Sequence, residues 1–296
     1  TENTTGTLFT AEDDYGTSYF YAGDVDNNWV SFAGFYWRII RINGDGSIRM
    51  IYSGDIESGP VETGEATQIG TSAFNEQYND NAYVGYMYGT PGSSTYEETH
   101  ANINDSTIKT VLDNWYVENL LSYSNYISTE AGFCNDRRIA LEHSDYTVLG
   151  YDMNPTIYAP VDKFLLTNFS NWKTSQSPNL QCNQISDYFT IGASSQGNHA
   201  LNYPVGLIIA DEVVLAGGFG GTTNTIYYLY TGQIYWLMSP SYFIREGYAG
   251  EFLVTEEGGL DDWRIHNVLG VRPVINLDAN VTISSGDGTI YSPYQI

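Results

Sequence analysis

The sequence predicts an α+β chain folded as one domain over residues 1–296. Three observations carry that expectation. Runs of β-branched and aromatic residues flank an Asn43-Gly44-Asp45-Gly46 turn, and a segment from Ser106 to Leu121 has helical periodicity behind a capping sequence. Neither an internal repeat nor a linker divides the chain.

Residues 7–52 form the N-terminal β-hairpin part. Ser18-Tyr19-Phe20-Tyr21-Ala22 leads to a polar turn, then Trp29-Val30-Ser31-Phe32 and the run Phe35-Tyr36-Trp37-Arg38-Ile39-Ile40-Arg41-Ile42. After the Asn-Gly-Asp-Gly reversal, Ser47-Ile48-Arg49-Met50-Ile51-Tyr52 returns as the second hairpin strand. Asp24-x-Asp26-x-Asn28 opens like a calcium loop. Trp29 holds its glycine position and Phe35 its closing glutamate position, so an EF-hand is excluded and an Asx-rich turn expected.

Residues 53–104 are turn-rich, with Tyr83–Gly89 read as a short strand or an ordered loop. Asn104-Asp105-Ser106-Thr107 then caps a helix. Ile108, Val111, Leu112, Trp115 and Tyr116 recur at three- and four-residue steps, which gives the helix one apolar face and makes Trp115 a core residue. Residues 122–202 form a long loop region, rich in Ser, Asn, Gly and Pro; such a segment is functional or tied down. Tyr203–Ala210 is a buried strand or turn feeding a second helix, Asp211–Ala216. Its acidic first turn and terminal Gly217-Gly218 match the polarity of a helix. Tyr227-Tyr228-Leu229-Tyr230 and Tyr235-Trp236-Leu237 read as strands, and Ser285-Gly286-Asp287-Gly288-Thr289 as a tight turn before a last short strand.

The charge and the cysteines narrow the function classes. With 35 acidic against 11 basic residues the formal charge is −24, a field that repels nucleic acid and anionic membrane surfaces. Three lysines cannot build a basic patch, and no apolar run reaches the roughly 20 residues of a membrane helix. Cys134 and Cys182 lie outside any Cys/His cluster, so a zinc site is not expected. They suggest one disulfide in an oxidising compartment, tying the long loop region; two buried free thiols are the alternative. Thr1-Glu2-Asn3-Thr4-Thr5-Gly6 is unlike a signal peptide and reads as the start of a mature secreted chain. The 26 tyrosines suit either binding surfaces or sheet packing.

The last quarter carries the functional signal. Tyr235–Pro240 and Gly270–Leu277 are apolar blocks that bracket a polar run in which Ala249, Phe252, Val254, Gly258, Gly259, Leu260 and Val268 look structural. Between them stand Arg, Glu, Tyr, Asp, Trp and His in no amphipathic order, a rigid frame around a heterogeneous surface.

Two stretches carry a family resemblance. Leu207–Gly218 resembles the strand-to-helix segment of C-type-lectin-like domains of the formylglycine-generating-enzyme type. Tyr235-Trp236-Leu237-Met238-Ser239-Pro240, Ala249, Phe252-x-Val254, Gly259-Leu260 and Gly270-Val271-Arg272-Pro273-Val274 resemble the variable region of target proteins of diversity-generating retroelements and related bacterial surface proteins. This specific resemblance runs from Tyr203 to Leu277, with the variable-region-like part at 232–277, and Tyr36–Gly46 is similar to the N-terminal part of such proteins. It implies a C-type-lectin-like domain: twisted antiparallel sheets with two main helices and long irregular loops. It further implies a display set of Ile244, Arg245, Glu246, Tyr248, Glu251, Asp261, Asp262, Trp263, Arg264, His266 and Asn267. Adenine-directed diversification of Asn-type codons does not yield Glu or Trp, so Glu246, Glu251 and Trp263 depart from that pattern. Ile244 and Trp263 also suit simple packing.

The expected function is therefore a secreted or cell-surface ligand-binding protein of adhesin or receptor-binding type, whose ligand is a protein or a cell-surface glycan. The alternative is a structural subunit of a surface layer or filament, an oligomer built through sheet edges. An enzyme related to the formylglycine-generating group would need a reactive cysteine in the C-terminal half, and none follows Cys182. No nucleophile elbow, phosphate loop or His-Glu-x-x-His motif occurs, so no catalytic residue is assigned. No cofactor is expected. Glu-Pro-Asn, Gln-Pro-Asp and Trp-Asn-Asp motifs are absent, and any bound calcium is read as structural.

Overall fold

The strand-forming runs of the N-terminal quarter wrap around one central strand. In the computed structural model, which describes residues 3–143, 149–165 and 171–296, that strand is Phe35–Ile42. Ile48–Asp55 pairs antiparallel along one edge, after the turn closed by Gly46 N–H donating to the Asn43 carbonyl at 2.8 Å. Trp29–Phe32 and Gly16–Phe20 share the other edge end to end, and Phe9–Asp13 pairs with Gly16–Phe20. Val274–Leu277 returns from the far end of the chain to pair with Ile48–Asp55, and Tyr294–Gln295 runs parallel to Trp29–Phe32.

The second sheet belongs mostly to the last quarter. Its spine is Tyr235–Ile244, which pairs antiparallel with Tyr248–Val254, and that strand pairs in turn with Leu260–Arg264 at the sheet edge. On the other side, Tyr235 runs parallel to Val268–Gly270, itself antiparallel to Thr71–Ala73, while Thr156–Ile157 pairs with Tyr242 and Phe243. The result is a mixed α+β fold with two main mixed sheets, rather than wholly antiparallel ones. Among the described residues, its two helices of seven residues or more are Thr107–Asn119 and Ala210–Ala216.

The first helix follows its sequence signals. The Ser106 side chain accepts the Lys109 N–H, the hydrogen bond of an N-cap. Ile108, Leu112 and Tyr116 are buried, and Trp115 packs 5.2 Å from the Phe35 ring, 6.0 Å from Tyr52 and 6.2 Å from Trp37.

Three expectations are corrected. Tyr227-Tyr228-Leu229-Tyr230 is a turn: Tyr230 N–H donates to the Tyr227 carbonyl, and the Tyr227 hydroxyl reaches the Gly258 carbonyl at 3.0 Å. Its aromatics anchor a bend instead of lining a sheet. The described part of the 122–202 region holds a six-residue helix, Ala159–Phe164, too short to show periodicity; 144–148 and 166–170 lie outside the described residues. Val268 is 64% exposed and not part of the buried frame.

Helix Ala210–Ala216 is locked to the N-terminal sheet by charge. Glu212 Oε1 lies 2.9 Å from Arg41 Nε and 2.6 Å from Arg49 Nε, while Oε2 accepts the Ile209 N–H. Arg41 also reaches Asp13 at 2.7 Å. All four side chains are buried. Burial opposes the ionised carboxylate, but Arg49 and Arg41 outweigh it and hold the Glu212 pKa below its ordinary value. Arg272 is a separate brace, donating to the Tyr52 and Thr67 carbonyls beneath the Tyr235 ring.

The Cys134–Cys182 disulfide joins residues 48 apart in sequence. Cys134 pairs with Tyr188 in a two-residue ladder, and Cys182 N–H donates to the Asp14 carboxylate, so the cross-link pins the irregular region to the N-terminal strands.

Two outcomes test this frame. Glu212→Gln strands two buried guanidinium groups and should lower the unfolding free energy by about 3–5 kcal/mol in urea titration. Removing the disulfide by a double Cys→Ser variant should cost up to about 4 kcal/mol, by loss of the loop-closure constraint on the unfolded chain.

Candidate functional site

The polar run of the last quarter folds as a three-stranded meander, not as loops. The spine strand continues through Pro240 to Ile244, with register breaks on either side of the proline, which has no N–H for the ladder. The turn Arg245-Glu246-Gly247 leads into Tyr248–Val254, and the tip at residues 255–259 leads into the edge strand Leu260–Arg264. The predicted frame residues Ala249, Phe252, Val254, Gly258, Gly259 and Leu260 are all buried.

Two glycines are sterically fixed in this meander. A Cβ on Gly250 would meet the Tyr242 ring at 2.3 Å. Gly258 has φ +80°, and its Cβ would lie 2.0 Å from the Asn224 carbonyl oxygen.

The meander gathers most of the display set on its surface. Arg245, Glu246, Asp261, Trp263 and Arg264 are exposed; Ile244, Tyr248, Asp262, His266 and Asn267 are half-buried. Trp263 keeps 46% of its surface open and is not a packing residue, whereas Ile244 packs against the core. Asn267 shapes the turn after the edge strand, its side chain donating to the Arg264 carbonyl at 2.8 Å.

At one end the side chains stack. The Arg264 guanidinium lies 4.0 Å from the Tyr248 ring centroid, and Tyr78 stacks on Tyr248 at 5.2 Å with the planes 8° apart. The His266 ring sits 4.4 Å from that of Tyr78. Tyr78 comes from the turn-rich stretch, held there by Ala249 N–H donating to its carbonyl at 2.9 Å. Nothing local in the sequence marks it, because its role depends on a contact across the fold. Beside Trp263, a cleft of about 370 Å³ is lined by Ile234, Leu253 and Thr255 and by the carboxylates of Glu256, Glu257, Asp261 and Asp262.

Glu251 is the correction to the display set. It is fully buried, and neither carboxyl oxygen has a hydrogen-bond partner among the described residues. It faces inward because its strand is covered on both sides, with every residue from Ala249 to Val254 buried. Burial pushes its pKa well above the ordinary value, and Arg137 offsets only part of this. Asp262 has a milder version of the same problem: burial and Asp261 raise its pKa to about 7, against a 2.6 Å hydrogen bond from Ser241 Oγ.

The cations are distributed unevenly. Arg38, Arg41, Arg49, Arg137, Arg272 and Lys109 are buried, while Arg138, Lys163 and Lys173 are in ion pairs. Only Arg245 and Arg264 are both exposed and outside any ion pair among the described residues. Both belong to the meander. Among the described residues no group of three or more His, Cys, Asp or Glu side chains is placed to hold a metal ion, and no helix is long and apolar enough to cross a membrane. No family model matches the chain, and no curated protein or solved structure matches it.

The Glu251 environment gives a pH prediction. Its folded pKa is raised, so between the unfolded value near 4.5 and the higher folded value the unfolded chain binds fewer protons, and stability falls as pH rises. Glu251→Met removes the unpaired group and should stabilise the protein by roughly 1–3 kcal/mol at pH 8, with a smaller gain at pH 4. Thermal melts of both proteins across that range measure it.

Proposed function

We propose that this chain is a secreted or cell-surface ligand-binding protein of adhesin or receptor-binding type, and that the meander from Ile244 to Asn267 is its recognition face. The observation that carries this reading is the placement of its free positive charge. In a chain of formal charge −24, the two arginines that are exposed and outside any ion pair among the described residues both lie in the meander, and Arg264 stacks on the Tyr248 and Tyr78 rings. Arg, Tyr and Trp are the residue types that dominate binding energy at interfaces, and the meander carries all three, with Arg264 and Trp263 exposed and Tyr248 half-buried.

The finer fold assignment, a C-type-lectin-like domain of the formylglycine-generating-enzyme type, belongs to the same proposal. Its support is the ordered set of sequence blocks from Tyr203 to Leu277 and their likeness to variable proteins of diversity-generating retroelements. The surface location is supported by the disulfide and by the acidic charge.

The test is binding of the labelled protein to a panel of whole bacterial and eukaryotic cells. Replacing Tyr248 and Trp263 by Ala and Arg264 by Gln together should weaken binding to every cell type recognised by at least about a hundredfold, two hot-spot increments. Unchanged binding by a variant with an unchanged melting temperature would reject the assignment.

A further inference from the structure

Beside the turn at residues 227–230, separate stretches of chain close around a cavity of about 180 Å³ that shares no residue with the meander. Its walls are tied together through the backbone: Tyr228 N–H donates to the Gly23 carbonyl at 3.0 Å, and Gly64 N–H to the Thr231 carbonyl at 2.8 Å. Arg38 forms the charged part of the wall. Its side chain is 2% exposed and held, with Nη2 donating to the Val25 carbonyl at 2.7 Å and the guanidinium 4.3 Å from the Trp29 ring centroid. Nη1 makes no hydrogen bond among the described residues. Its ion-pair partner, Glu62 Oε1, stands 3.9 Å away on a side chain that is 61% exposed, beyond hydrogen-bond reach.

The charges around the cavity select the class of ligand. An anion meets the carboxylates of Asp24 and Glu62, and a cation meets Arg38, so neither charged class is favoured. A neutral group fits if it accepts from Arg38 Nη1 and, an atom or two further on, donates to Glu62. Adjacent sugar hydroxyls do both, because each O–H is at once a donor and an acceptor. A peptide amide offers the same pair but brings an extended chain, which a cavity of this size does not admit. Tyr227, Tyr228, Tyr230 and Ile226 supply apolar wall for the C–H face of a ring. The volume lies below the roughly 300–1,000 Å³ of pockets that take drug-sized molecules, which sets the ligand at a single ring.

We propose that this cavity binds one neutral sugar unit of a glycan, with adjacent hydroxyls bridging Arg38 Nη1 and the Glu62 carboxylate. The contact is made by side chains alone and does not depend on the recognition face of the meander.

Protein-observed NMR titration in the presence of a chelator tests it. The probes are the methyl glycosides of glucose, galactose, mannose and N-acetylglucosamine, with tetraglycine amide as the amide-bearing alternative. Saturable binding of at least one glycoside is expected, with a dissociation constant on the order of millimolar for so small a ligand. Glu62→Ala should weaken it at least about tenfold, through loss of one charge-assisted hydrogen bond. Because Glu62 is exposed, that variant should keep its melting temperature. Glu65→Ala removes the same charge from an exposed position outside the cavity and should leave binding unchanged. So should the triple variant of Tyr248, Trp263 and Arg264. Absence of saturable binding by any glycoside, an unchanged dissociation constant in Glu62→Ala, an equal loss in Glu65→Ala, or tighter binding of tetraglycine amide would overturn the inference. A loss confined to the meander variant would overturn it as well. Cell binding lost in that variant while the glycoside still binds would support both readings separately.

Discussion

Glu212 is the point on which the two halves of the fold meet. It sits in the first turn of helix Ala210–Ala216, and its carboxylate is shared by Arg41 and Arg49 from neighbouring strands of the N-terminal sheet. Three buried charges, with Asp13 as a fourth, would each be costly alone; together with the Ile209 N–H they satisfy one another. The geometry allows one docking of helix on sheet. Ile208, two residues before the helix, accepts the Met238 N–H through its carbonyl, so the same helix entry also holds the spine of the second sheet. The helix entry thus links the ion cluster of the N-terminal sheet to the spine strand that carries the meander.

The same allocation shapes the exterior. Guanidinium groups serve as internal cross-braces at Arg38, Arg137 and Arg272 as well, each donating to carbonyls or to a buried carboxylate. Planar, multivalent donors suit that task in a fold with many irregular connections, because one side chain satisfies several buried backbone oxygens. The surface is consequently poorer in positive charge than the composition implies. Arg245 and Arg264 stand out against it.

Local signals carried the elements whose stability is local. The Asn43–Gly46 hairpin, the Ser106 cap with its apolar stripe, and the acidic start of the second helix were all legible, since each depends on turn chemistry or periodicity within a few residues. The frame of the meander was legible for a related reason: small and apolar residues recur where strands must pack. What escaped depends on distant partners. Tyr227–Tyr230 has the composition of a strand, yet its partners lie at Gly23 and Gly258 and bend it. Tyr78 gains meaning only once Ala249 draws it onto Tyr248. Glu251 misled because carboxylates ordinarily face water, and an unpaired one inside has no sequence signature.

The two glycines of the meander set rules for anyone wishing to re-engineer it. Gly250 lies flat under Tyr242, and Gly258 needs a left-handed backbone against Asn224, so neither tolerates a side chain. The outward positions on the adjoining turn and edge strand have no such obligation to the interior. A combinatorial library could therefore randomise Arg245, Glu246, Asp261, Trp263 and Arg264 while holding those glycines constant, turning this sheet into a scaffold for selecting new binders.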